Sequence, residues 1–196
     1  MNYEVKDFSH LLGTPGFSDE LLNNHFTLYE GYVVNTTKIS TRIAELAEAD
    51  QTDLPEFAEL KRRFGWEYNG MRLHELYFEN LSKEPKELDP ESGLAKHLIE
   101  TYNKLAKWEK YFRATGSLRG IGWVVMYWDS INQRTKTVWI NEHDVGHLVG
   151  LTPLLVMDVF EHAFLTDYGL KRADYIDAFM KAVDWEVVNN RFEAAK

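Results

Sequence analysis

The 196-residue chain contains no cysteine. Disulfides, thiolate metal ligands, iron–sulfur clusters and cysteine nucleophiles are therefore excluded, and any metal must be held by histidine and carboxylate. Positive charge is scarce as well: 22 Lys and Arg stand against 31 Asp and Glu, a formal net charge of −9. Such a balance argues against nucleic acid or an anionic membrane as partner. No stretch reaches the length of a membrane span, and the opening residues MNYEVKDFSHLLG lack a basic region followed by an apolar run, so a cytoplasmic location is expected. What the chain does have is 44% hydrophobic and 14% aromatic residues, enough for a substantial core.

Ser18 and Asp19 open a segment in which Leu22, His25, Tyr29, Tyr32, Thr36, Ile39, Ile43 and Leu46 recur at steps of three and four, one stripe of a long helix. A histidine and two tyrosines on an aliphatic stripe should face inward, and residues 35–37 are a candidate bend. Pro55 begins a second pattern, Phe57, Leu60 and Phe64, continued beyond Gly65 by Met71, His74, Phe78 and Leu81. A short acidic connector between two long helices predicts an antiparallel hairpin whose inward histidines can meet.

The polar segment SKEPKELDPESG predicts a boundary, with a helical hairpin domain over 1–82, a linker over 83–93 and a second domain over 94–196. Within the latter, 94–113 is helical in pattern. Residues 123–128 and 135–140 form a β-hairpin around SINQR, 152–157 a third strand, and 172–183 and 185–192 closing helices. The expected fold class is α+β: a long helical hairpin, then a three-stranded antiparallel sheet surrounded by helices.

Asp158 and His162 stand four apart in LLVMDVFEHAF, on one face if the chain turns helical after the strand. With His25 and His74 they supply three imidazoles and one carboxylate. A stripe histidine taken singly is more often a hydrogen-bonded core residue than a ligand, and spacing alone leaves Fe, Mn and Zn open.

The motif DVFEHAF at 158–164 resembles the Asp-Val-Trp-Glu-His-Ala-Tyr signature of the iron/manganese superoxide dismutase family. The likeness continues through KRADYIDAFMKAVDWEVVNNRF at 171–192, GIGW at 120–123, HELYFENL at 74–81 and NHFTLYEGYV at 24–33. It implies that His25, His74, Asp158 and His162 hold one Fe or Mn, with solvent as a fifth ligand, and that the substrate is superoxide. His143, after the second strand, aligns with the Gln or His that contacts this solvent. Gly70 matches the small residue found when that group comes from the C-terminal domain, a pattern favouring iron. Trp123, Phe78 and Phe160 are expected beside the metal, the last two in place of Trp. Glu161 corresponds to the residue that bridges to the partner subunit's ligand, so a homodimer, or a tetramer built from it, is implied.

Departures from the family pattern cluster on the first helix. The gateway Tyr expected eight residues after the ligand His is here Tyr32, at seven, as loss of a π-turn would produce. Tyr29 takes the place of the gateway His, Leu165 that of its Tyr partner across the interface, and Leu28 that of a Lys near the substrate funnel. Steering of the anion then falls to Arg172, aided by Lys38. The altered gateway keeps one alternative in view: a different non-haem iron enzyme acting on peroxide or dioxygen on the same scaffold.

Overall fold

A computed structural model describes residues 2–196; Met1, the first residue of the expected hairpin domain, lies outside them. Helix α1 spans Asp19–Glu48, started by Ser18, whose hydroxyl accepts from Leu21 N at 3.0 Å while Asp19 and Glu20 complement the helix dipole. No bend interrupts it at 35–37. Thr36 is buried, and its hydroxyl donates to the Tyr32 carbonyl at 2.7 Å, so its polar demand is met within the helix. The chain stays α-helical from His25 through Val33, without a π-turn.

Asp50, at φ 54°, helps the chain reverse, and Pro55 opens α2, Pro55–Glu79. The hairpin expected from the two stripes is thus formed. The single helix expected over 94–113 is instead two, α3 (Gly93–Tyr102) and α4 (Leu105–Gly116), because Asn103 turns left-handed at φ 67°. Three antiparallel strands follow, β1 (Gly122–Asp129), β2 (Arg134–Asn141) and β3 (Thr152–Asp158), in the order β2-β1-β3. The central strand is buried along its whole length, and its register sets Trp123 opposite Asp158 on one side and Ile140 on the other.

A 3₁₀ turn at Glu161–Ala163 leads into α5 (Leu165–Tyr168), α6 (Arg172–Ala182) and α7 (Trp185–Ala195). Val183, expected as the end of a helix, instead pairs with Leu81 across the end of α2. Beside that bridge Asn80 is fully buried: its side-chain amide donates to Val156 O at 2.6 Å, and its Oδ1 accepts from Arg191 at 2.7 Å. Arg191 also reaches the carbonyls of Leu154 and Leu76 and the carboxylate of Glu79. Helix α2, strand β3 and helix α7 are joined by this one polar knot.

Candidate metal centre

Four elements deliver the expected ligands to one point. His25 comes from α1, His74 from α2, Asp158 from the end of β3, and His162 from the 3₁₀ turn beyond it. Around Asp158 Oδ2 lie His25 Nε2 at 3.2 Å, His162 Nε2 at 3.2 Å and His74 Nε2 at 3.7 Å, and one donor atom from each residue falls within 4.8 Å of all the others. First-row ions bind N and O donors near 2.1 Å, so neighbouring donors in such a sphere stand roughly 3–4 Å apart, as the three imidazole nitrogens do from Asp158 Oδ2.

The hydrogen-bond roles point the same way. His74 Nδ1 lies 2.6 Å from the Gly70 carbonyl, which can only accept, so the ring proton is there and Nε2 presents a lone pair. That Nε2 is buried and has no hydrogen-bond partner. Burial first, then the neighbouring His25, holds the His74 pKa well below its ordinary value, and burial likewise lowers His25. Both rings are therefore neutral and able to offer a lone pair. Burial pushes the Asp158 carboxyl upward, but the attraction of His162 and His25 outweighs it and keeps the group ionised. Oδ1 of Asp158 accepts from Phe160 N at 2.8 Å, which leaves Oδ2 for the imidazoles. The i,i+4 pairing of Asp158 with His162 thus arises from an Asx-type turn and a 3₁₀ turn rather than from one helix face. Three of the four residues are buried; only the His162 side chain keeps 24% exposure, so the approach lies on its side.

His143 and Tyr32 form an adjoining pair. The Trp123 indole donates to His143 Nδ1 at 3.0 Å, which assigns the single ring proton to Nε2, 2.8 Å from the Tyr32 hydroxyl. Burial brings the His143 pKa down to about 4 and pushes Tyr32 well above the usual phenol range. Tyr32 stacks on His74 at 5.2 Å, and Phe160 stacks on both His143 and His162. Phe78 is fully buried against His25, with ring centres 5.0 Å apart.

Tyr29 does not join that pair. It is buried under Phe8, donates to Glu75 Oε1 at 3.1 Å and accepts from Lys6 N at 3.1 Å, with burial raising its pKa to about 12. Arg172 bonds the carbonyls of Leu118 and Gly120 at 2.7 and 2.8 Å and lies over the Phe164 ring. Glu161 is exposed beside it, Leu28 is partly exposed, and Lys38 is exposed on α1. Trp66 is an addition. Its ring meets His143 edge to face at 4.5 Å, its indole donates to Glu142 at 3.1 Å, and the Arg63 guanidinium covers it at 3.9 Å. Its signal was present in the sequence, since Trp66 and Gly70 precede His74 at steps of four along one helix face.

A helical hairpin and a small sheet that close on three imidazoles and a carboxylate define the class of proteins built to hold a single non-haem transition ion. Residues 90–191 match the family described as iron/manganese superoxide dismutases, C-terminal domain. An iron superoxide dismutase of Aquifex pyrophilus is 36% identical, across 98% of this chain and 92% of that protein. A manganese superoxide dismutase of Haloferax volcanii is 32% identical, and an iron superoxide dismutase of Cupriavidus metallidurans 35%, each across 100% of this chain and 98% of the relative. The chain belongs to the iron/manganese superoxide dismutase family, whose members are metal-dependent oxidoreductases.

Proposed function

We propose that the protein converts two superoxide anions and two protons to dioxygen and hydrogen peroxide at one Fe or Mn held by His25, His74, Asp158 and His162, with iron preferred. The observation that carries this reading is the buried, unpartnered Nε2 of His74 facing three further donors. When bound, the ion supplies the one-electron acceptor and donor that successive superoxide anions require. The chain's own groups supply shape and protons. Tyr32, whose raised pKa keeps its hydroxyl protonated at neutral pH, is the proton carrier at the mouth. His143, neutral above about pH 4, donates its Nε2–H to orient that hydroxyl. Phe78, Phe160 and Trp123 exclude bulk water from the donor set, and Trp123 fixes the His143 tautomer. Arg172 contributes positive potential on the approach to an otherwise acidic chain.

Iron is preferred because His143 enters from the loop after β2 and because relatives such as those of Aquifex pyrophilus and Cupriavidus metallidurans carry iron in their names. A homodimer, able to pair further into a tetramer, is supported by exposed Leu118, Leu165 and Leu170 around Glu161. The division into a hairpin domain at 1–82, a linker at 83–93 and a C-terminal domain at 94–196 belongs to the same reading. So does a cytoplasmic location, with no described helix long and apolar enough to cross a membrane.

The test is a superoxide-consumption assay run beside elemental analysis. Wild-type protein should carry about one Fe or Mn per chain and consume superoxide, and His162→Ala should lose both. Stoichiometric metal with no superoxide consumption would overturn the reading and direct assays toward peroxide or dioxygen.

A further inference from the structure

The loop between β2 and β3 carries a second histidine that neither the metal cage nor the Tyr32–His143 pair uses. His143 sits in a turn closed by Asn141 and Val145, whose backbones exchange hydrogen bonds at 2.8 and 3.3 Å. Glu142 takes φ 51° and Gly146 φ 111°, so the backbone changes direction sharply on both sides. Four residues on, His147 places Nε2 2.9 Å from the His143 carbonyl, while its Nδ1 lies 2.9 Å from the hydroxyl of Tyr127, a buried residue of the central strand. A carbonyl only accepts, so Nε2 bears the proton and Nδ1 receives the Tyr127 hydroxyl proton. All three groups are satisfied in one arrangement.

We infer that His147 is a positioning residue for the proposed dismutation. Anchored to the sheet by Tyr127, it grips the carbonyl of His143 and so fixes the direction in which His143 Nε2–H meets Tyr32. The inference rests on the role proposed above for Tyr32 and His143. The His143 ring is held by side chains from outside its loop, Tyr32, Trp66, Trp123 and Phe160. Its backbone belongs to a loop whose neighbours Glu142, Asp144 and Val145 are exposed, and such loops open at little free-energy cost unless tied down. An open cavity of about 490 Å³, lined by Tyr68, Leu73, Leu76, Tyr127, His147 and Leu151, flanks the loop and leaves that side of it free to shift. His147 and Tyr127 stand in the wall of that cavity and brace the loop against such a shift. A displacement near 1 Å at a proton-transfer group costs up to about a hundredfold in rate.

The experiment compares metal-loaded wild type with His147→Gln, His147→Asn and Tyr127→Phe, measuring kcat, KM, metal content and unfolding temperature. A glutamine amide reaches the place of Nε2 and retains the donor to the His143 carbonyl; an asparagine amide reaches only that of Nδ1 and keeps the Tyr127 side. His147→Asn should lower kcat on the order of tenfold at unchanged KM and metal content, while His147→Gln stays within about twofold of wild type. Tyr127→Phe should fall between them. Equal losses in both His147 variants that follow their unfolding temperatures would make the residue a fold anchor only, and unimpaired turnover in His147→Asn would leave it without the role; either overturns the inference while an active wild type leaves the dismutase reading standing. A metal-loaded wild type without superoxide consumption overturns both together.

Discussion

Replacing Gly70 by alanine probes how tightly α2 packs against Tyr32 of the Tyr32–His143 pair. A Cβ on Gly70 would stand 2.6 Å from Tyr32 Cδ1 and 2.8 Å from Cε1. Carbon atoms in contact rest near 3.5–4.0 Å, so the ring must retreat by about 1 Å. It cannot swing aside freely, because His74 stacks on it at 5.2 Å, Trp66 packs at 5.6 Å, and its hydroxyl is bonded to His143 at 2.8 Å. Lengthening that bond by about 1 Å carries it out of hydrogen-bonding range. Overpacking a tight site costs about 1–3 kcal/mol, and the gain in helix propensity returns at most about 1 kcal/mol. The expected net loss is about 1–2 kcal/mol, a fall in Tm of roughly 3–6 °C for a chain of this size. Turnover should fall about tenfold or more through the misplaced Tyr32. Gly65→Ala is the internal control: it lies on the same helix with nothing within 4 Å of its added Cβ, and should gain about 0.5–1 kcal/mol with activity intact. Calorimetry and a stopped-flow superoxide assay on the two variants decide the matter. If both become more stable by the same amount and both keep wild-type turnover, Tyr32 does not rest on Gly70 and the argument fails.

Tyr29→Phe strips the hydrogen bonds to Glu75 and Lys6 N and should cost about 1–2 kcal/mol in urea denaturation with turnover preserved; a collapse in turnover at unchanged stability would return Tyr29 to the gateway. The His143 pKa falls on folding from 6.5 to about 4, so the unfolded chain binds the proton more readily in that window. Its contribution is complete above pH 6.5 and is lost as pH falls toward 4, by up to about 3 kcal/mol; His143→Gln should flatten that part of the stability curve, and an identical slope would refute it. Arg172→Ala should lower kcat/KM and weaken its dependence on ionic strength, whereas an unchanged rate would leave the residue as a clamp on the Leu118 and Gly120 carbonyls.

The hairpin, the sheet and the four converging donors were legible because each rests on periodicity or on a local motif. His25 and His74 sit on apolar stripes that can only face inward, and the strand before Asp158 is an unbroken apolar run. What escaped depends on backbone choices that several residue types allow. Asn103 breaks one helical pattern into two by adopting φ 67°, and Val183 leaves its helix to pair with Leu81. The fate of Tyr29 was hidden for a different reason: it shares a stripe with His25, and only the arrival of Glu75 and the Lys6 backbone decides which way its hydroxyl is satisfied. His147 lies in a loop with no period at all, where partners are set by tertiary placement.

Asn80 ties together two of the backbones that carry the converging donors. It lies six residues beyond His74, and its amide grips the Val156 carbonyl, two residues before Asp158, at 2.6 Å. The span between the backbone carrying one imidazole and the backbone carrying the carboxylate is thus bridged by this side chain together with Arg191, which reaches the Leu76 carbonyl on one side and the Leu154 carbonyl on the other. An ion held by His74 and Asp158 would sit between two backbones whose spacing is set in part by a residue that never touches it.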